Sequence, residues 1–139
     1  LFLTTDVYSR RIVGWHLSRT LSHHGALQAL AYTCASLTTS EGVLHHSDRG
    51  SQYCCHEFLQ ALAASRLLPS MTDANHCYQN AIAERVNGIL KDEYDLDQTF
   101  PTVIEAQQAV AQAIHTYNHR RLHGSLSLQT PTQVFHRAA

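Results

Sequence analysis

The order of strand-like and helix-like segments is the feature that most constrains the fold of this chain. Short segments rich in β-branched and aromatic residues open the sequence, and shorter apolar ones recur at "VLHH" and "LLPSM". The segments between and after them carry apolar residues at helical spacing. The predicted order is strand, strand, helix, strand, helix, strand, helix, helix. This order indicates an α/β fold with a mixed sheet.

Residues 1–18 are predicted to form a hairpin, with "VYSR" as its turn. Residues 122–139 are rich in turn formers and are predicted to be a tail that caps the domain. The apolar stripes predicted for three of the helices are 27, 30, 31 and 34 in segment 25–38; Phe58, Leu59, Leu62 and Ala63 in segment 51–66; and Ala106, Val110, Ala113, Ile114 and Tyr117 in segment 102–121.

The composition excludes several classes of protein. The chain has 139 residues, of which 44% are hydrophobic and 15% are charged, which fits one globular domain. No apolar run reaches the length of a membrane span, so no membrane partner is expected. A net charge of −1 provides no general attraction to nucleic acid, so any DNA contact must come from local basic clusters. The four cysteines lack C-x-x-C spacing, which disfavours a zinc ribbon. With no secretory signal to read in the sequence, reduced thiols in a cytosol are expected.

Asp48 is the first candidate for chemistry. In "HHSDRGSQY" it follows an apolar strand and precedes Gly50, at the start of a predicted helix. Ligand sites in open α/β sheets lie at the carboxyl ends of strands, and a helix N-terminus favours a phosphate. Asp48 is therefore either a metal ligand beside a phosphate or a plain cap of the following helix.

Glu84 is the second candidate. On the helix that Asn80 is predicted to cap, Ile82, Val86, Ile89 and Leu90 share one face, whereas Glu84, Asn87 and Lys91 fall opposite. A carboxylate for a metal and a lysine for a phosphate on one stripe suit polynucleotide chemistry. A solvated helix face with the same charges is the alternative.

These stretches, taken together, resemble a known family. "DVYSRRIVGWHLS", "HHSDRGSQY", "NHCYQNAIAERVNGILKDE" and "YNHRRLHGSLSLQTP" resemble, in the right order, the integrase core of bacterial insertion-sequence transposases of the DDE type, which are related to retroviral integrases. The resemblance covers nearly all of residues 1–139. It implies a ribonuclease-H-like mixed sheet flanked by helices, and an activity in DNA transposition and integration.

The resemblance also implies a site. Three carboxylates would hold two Mg²⁺ or Mn²⁺ ions, with Asp48 as the second and Glu84 as the third. Lys91 matches a basic position that faces DNA, and Asn80 lies in the motif around Glu84. The "YN..R.H" signature falls on Tyr117, Asn118, Arg121 and His123, for which packing of the last helix is an alternative role. Arg120 and Arg121 form the best local basic cluster, which suits either DNA phosphates or the dipole at a helix C-terminus.

The first carboxylate of the family lies on a strand that precedes this hairpin, and that strand has no match here. Asp6 instead matches a turn residue and is not favoured as a ligand. The first strand is central in this fold, so the chain by itself is expected to be poorly stable and inactive. Two alternatives follow: a catalytically dead remnant that binds DNA or a partner transposase, and a ribonuclease-H-like nuclease. The expected partners are transposon ends, target DNA and further transposase subunits.

Overall fold

A computed structural model describes residues 1–39, 41–72 and 80–138 of the chain. Its order of elements agrees with the predicted order, apart from an extra helix in each of two segments. The elements are β1 Phe2–Thr5, β2 Ile12–His16, α1 His23–Ser36, β3 Leu44–Ser47, α2 Ser51–Cys54, α3 His56–Ala64, β4 Leu68–Met71, α4 Ala81–Asp92, α5 Val103–His119, a 3₁₀ turn Gly124–Leu126 and α6 Pro131–Ala138. The single helix predicted for 51–66 is broken at Cys55, whose backbone is extended. The predicted tail contains α6.

The chain divides into two compact units. The first unit comprises 1–4 and 13–81, and the second comprises 5–12 and 82–139. The described strands form two separate two-stranded sheets, β1 with β2 and β3 with β4. The β3–β4 pair is parallel, with Leu44 opposite Leu68 and Ser47 opposite Met71. Within the described ranges, no helix has the length and apolar character needed to cross a membrane.

The core of the first unit forms where α1 lies close against the hairpin. A Cβ atom on Gly14 would come within 2.1 Å of Thr33 Oγ1, and one on Gly25 within 2.2 Å of the Phe2 ring. Only glycine permits these approaches, so α1 turns its small residues inward. The buried face is therefore 25, 26, 29, 30 and 33, and the predicted stripe of 27, 30, 31 and 34 was wrong at position 31, which is exposed.

The same core includes two helices that follow β3. Phe58 and Leu62 of α3 pack with Leu30 and Leu67, and Leu59 lies at the edge of this cluster. Ala63, which was predicted to share this face, is exposed because it lies about 100° around α3 from the buried Leu62. The stripe on α5 is confirmed by the burial of Val110, Ala113, Ile114 and Tyr117, with Ala106 half-buried at its start.

The second unit is organised around contacts between α5 and the hairpin turn. Asn118 is 6% exposed; its Oδ1 accepts the Ile12 N–H at 2.9 Å and its Nδ2 donates to the Ile12 carbonyl at 2.9 Å. The Tyr117 hydroxyl donates to the Arg10 carbonyl at 3.0 Å. Within the turn, the Asp6 carboxylate accepts the Ser9 N–H at 2.7 Å. The prediction that Asp6 is a turn residue is confirmed.

Substituting Gly14 with alanine tests the close approach of α1. We expect Gly14→Ala to lower the free energy of unfolding by about 1–3 kcal/mol, because the added methyl group overpacks a dense core. Gly88→Ala is the matched control, because a Cβ there meets nothing within 4 Å and alanine favours a helix by up to about 1 kcal/mol. Urea denaturation of both variants measures the effect. Equal stabilities for Gly14→Ala and the unmodified protein would contradict the packing argument.

Replacing Asn118 tests the contact with the turn. Asn118→Ala leaves the N–H and carbonyl of Ile12 without partners in a buried environment, and each loss costs about 1–3 kcal/mol. Asn87→Ala is the control, because the Asn87 side chain is exposed and donates only to the Ala83 carbonyl of its own helix. We expect a large drop in melting temperature for Asn118→Ala and little change for Asn87→Ala. A similar small effect for both would show that the Asn118 bonds are dispensable.

Burial of Tyr117 makes stability depend on pH in the alkaline range. Desolvation of the phenol raises the pKa of Tyr117 from 10.0 to about 12, so ionisation is disfavoured in the folded state. The phenol therefore adds stability in full below pH 10, and this contribution is lost as the pH rises to about 12. Denaturation measured at several pH values should show this decline, and Tyr117→Phe should reduce it. An unchanged decline in that variant would assign it to other groups.

Candidate active site

Asp48 leaves the β3–β4 sheet at the carboxyl end of β3. The last residue of β3, Ser47, is buried, and its carbonyl accepts the Thr72 N–H at 3.0 Å. Asp48 itself is exposed. The sheet thus ends in a fixed pair of strands, and the carboxylate projects from the end at which α/β folds place their sites.

The helix after Asp48 does not use its carboxylate as a cap. Gly50 is the N-cap of α2 and makes no side-chain capping bond. Asp48 Oδ1 accepts the Gly50 N–H at 2.9 Å, which closes a local turn before the helix starts. The capping alternative for Asp48 was therefore wrong, because α2 begins two residues too late for its side chain to reach the N2 or N3 amide.

Arg49 is a positioning residue that the sequence did not point to. Its Nε donates to the Thr72 carbonyl at 2.8 Å, which ties the loop after β3 to the residue after β4. Since Thr72 also bonds to Ser47, the two strand ends are joined twice. Asp48 therefore projects from a segment held on both sides. The sequence signal that could have identified Arg49 is an arginine directly after an aspartate at the end of a predicted strand.

Aromatic packing supports β3 from its inner face. The His45 ring meets Phe58 edge to face at 5.4 Å, and Tyr53 meets Phe58 at 5.3 Å. Burial lowers the pKa of His45, so its ring is favoured in the neutral form. Burial raises the pKa of Tyr53, and the charge of Asp48 adds to the effect. Asp48 thus lies near a half-buried phenol that stays protonated.

Glu84 lies in the first turn of α4 and is exposed. Val86, Ile89 and Leu90 are buried on the opposite face, as predicted, and Lys91 is exposed in the last turn. The structure therefore confirms which face of α4 is available to solvent. Asn80 immediately precedes the helix, and its capping role stays a prediction.

The "YN..R.H" residues are mainly structural in this chain. Tyr117 and His123 are 1% and 8% exposed, and their rings meet edge to face at 5.1 Å. Asn118 binds Ile12 as described above. The guanidinium of Arg121 is paired with Glu93, through Nε to Oε2 at 2.7 Å and Nη2 to Oε1 at 2.6 Å. Of the two predicted DNA contacts on this segment, Arg120 is exposed and Arg121 is engaged within the protein.

The two candidate ligands belong to different units, Asp48 to the first and Glu84 to the second. Within the described residues, no group of three or more His, Cys, Asp or Glu side chains is arranged to hold a metal ion. Cys34, Cys54 and Cys55 are free thiols. Cys77, the fourth cysteine, lies outside the described residues.

Two family models, both of the integrase core domain, match overlapping parts of the chain, at residues 1–77 and 65–131. Similar proteins include a putative transposase for insertion sequence element IS986/IS6110 of Mycobacterium tuberculosis, 34% identical over 86% of this chain and 45% of that protein. The transposase for insertion sequence element IS904 of Lactococcus lactis is 32% identical over 94% of this chain and 52% of that protein. The chain thus spans about half the length of these relatives.

Solved structures show the fold. A chain in the structure of the simian T-cell lymphotropic virus intasome in complex with PP2A regulatory subunit B56 gamma has a TM-score of 0.76 at 24% identity, over 95% of this chain and 46% of that one. The HTLV-2 integrase catalytic core domain, solved in complex with magnesium, has a TM-score of 0.70 at 19% identity, over 94% of this chain and 80% of that one. The predicted ribonuclease-H-like fold is therefore confirmed. Together with the family models, this places the chain in the integrase core domain family.

Proposed function

We propose that this chain supplies two of the three carboxylates for metal-dependent DNA cleavage and strand transfer at the ends of an insertion sequence, an activity that residues 1–139 are not expected to show by themselves. The observation that carries the proposal is the exposed Asp48 carboxylate at the carboxyl end of β3, followed in sequence by the exposed Glu84 on the first turn of α4. By resemblance, both match the second and third carboxylates of the family's motif. In the described part of the chain, neither carboxylate forms an ion pair.

The donor chemistry of these residues fits a hard divalent cation. Carboxylate oxygens are preferred ligands of Mg²⁺, and Mn²⁺ accepts the same set. The HTLV-2 integrase core was solved with magnesium, which supports the same cofactor for this chain. We propose two ions in the complete site. When bound, they activate the attacking hydroxyl and stabilise the leaving oxygen at the phosphodiester.

The protein residues supply position and charge. Asp48 would hold metal from a segment fixed by Arg49 and Thr72, so its carboxylate needs little reorganisation. Glu84 would hold metal from the start of a helix whose buried face is anchored. Lys91, two turns further along α4, would bind a DNA phosphate, and the exposed Arg120 would add a second contact.

The transposase relatives favour strand transfer over the two alternative functions, a nuclease and a binding-only remnant. The expected partners are both transposon ends and target DNA. Joining two ends requires an assembly, which further copies or a partner transposase subunit would provide. The simian viral relative was solved as an intasome, which supports such an assembly. The site of action would be the bacterial nucleoid.

Replacing the two carboxylates tests the catalytic proposal. In a protein that carries the complete integrase core, Asp48→Asn and Glu84→Gln should each reduce Mg²⁺-dependent strand transfer at least about 100-fold, since both remove a metal ligand. Asp97→Asn removes an equal charge from an exposed turn and should leave the rate unchanged. The assay follows labelled transposon ends with and without Mg²⁺, and melting curves confirm folding.

Three results would count against the proposal. Unmodified activity in Asp48→Asn or Glu84→Gln would remove that residue from the site. Release of cut ends with no joined product would favour a nuclease. Binding without cleavage in the unmodified protein would favour the remnant.

A further inference from the structure

Arg121 and Glu93 form a two-point ion pair in the second unit. Nε and Nη2 of Arg121 donate to the two carboxylate oxygens at 2.7 and 2.6 Å. The pair lies at the surface, with 20% of the Arg121 side chain and 43% of the Glu93 side chain exposed. The hydrogen bonds from Arg121 lower the pKa of Glu93, so the carboxylate is charged at neutral pH.

Hydrogen-bond donors exceed acceptors around this pair. Arg121 Nη1 lies 3.4 Å from His123 Nδ1. A guanidinium only donates, so Nδ1 accepts and the neutral ring carries its proton on Nε2. That Nε2 is buried without a partner among the described residues, as is Nη1 of Arg10. His123 Nε2 and Arg10 Nη1 are thus two buried donors that lack an acceptor among the described residues.

Positive charge also exceeds negative charge at this place. Arg121, Arg10 and Arg85 all act on the His123 ring and lower its pKa, in addition to its burial, whereas Glu93 acts in the opposite direction. Burial is the largest cause of the lowered pKa, and three guanidinium groups and one carboxylate act on the same ring. This balance favours a second anion.

The geometry of the pair matches phosphate as well as carboxylate. The fork of an arginine binds two oxygens of either group with the same pair of parallel N–H bonds. An exposed ion pair contributes little to stability, so exchanging its anion costs the fold little. Glu93 therefore occupies the place that a phosphate oxygen pair would take.

We propose that Arg121 is a DNA phosphate site whose fork is held by Glu93 until a backbone phosphate displaces that carboxylate. The inference rests on the proposed function for the identity of the polyanion. It changes the role of Arg121 from a permanently exposed contact to a masked one. Glu93 then acts as a competitor that weakens DNA binding at Arg121.

Measuring duplex binding in Glu93→Gln tests this exchange. In the full-length protein without divalent metal, Glu93→Gln should bind a short DNA duplex about three- to tenfold more tightly than the unmodified protein, since a competing ion pair of modest strength is removed. Asp97→Asn changes the net charge equally at an exposed turn outside the pair. Its affinity should change less than about twofold.

A double-mutant cycle separates the release of Arg121 from a general effect of net charge on DNA binding. The gain from Glu93→Gln should disappear in an Arg121→Gln background, because no fork remains to be released. An equal gain in both backgrounds, an equal gain from Asp97→Asn, or no gain at all would overturn the proposal. Melting curves identify any variant that fails to fold, and the Glu93→Gln comparison stands without the Arg121 variant.

Two further arms identify the ligand. Inorganic phosphate should compete only weakly for Glu93→Gln; competition as strong as that of duplex would assign the site to free phosphate and overturn the DNA assignment. Absence of duplex binding in every variant would also overturn it. Because metal is omitted, these results do not depend on Asp48 or Glu84, so failure here is distinct from failure of strand transfer.

Discussion

The second unit depends on one buried amide. Asn118 supplies a carbonyl and an N–H to Ile12, which is 106 residues away in the chain. A side-chain amide presents the same two groups as a peptide bond, so Asn118 takes the place of a neighbouring strand at the start of β2. Water cannot replace it at 6% exposure. The hairpin turn is therefore positioned by α5 and not by its own sequence alone.

The first unit is built on a different constraint, which is the lack of side chains at two glycines. Gly14 and Gly25 let α1 lie against the hairpin, and the resulting core extends through Leu30 to Phe58 of α3. Phe58 then contacts the His45 ring on the inner face of β3. Asp48 lies three residues after His45. The position of the candidate metal ligand therefore depends, through His45 and Phe58, on the close packing of α1 against the hairpin.

The hairpin, β3, β4 and the buried faces of α4 and α5 were predictable, because short β-branched runs and strong helical periodicity determine them. The buried face of α1 was not predictable in the same way. Periodicity analysis looks for large apolar residues, whereas the residues that α1 buries are mostly small. Helix α6 was missed although its signal is present: Thr130 and Gln133 cap each other reciprocally, at 2.9 and 3.3 Å, with Pro131 at the first helical position. The candidate carboxylates came from motif resemblance, since two exposed acids carry no signal of their own.

The residues that match the family's motifs fall into two groups, one buried and one exposed. Tyr117, Asn118 and His123 use their polar atoms or rings inside the second unit, so their place in the "YN..R.H" pattern follows from folding. Asp48, Glu84 and Lys91 are exposed and contribute nothing comparable to a core. Arg121 lies between these groups, with a partly buried fork and an exposed partner. A residue with such a position can change partners without unfolding its surroundings, which is the property that a site of reversible DNA contact requires.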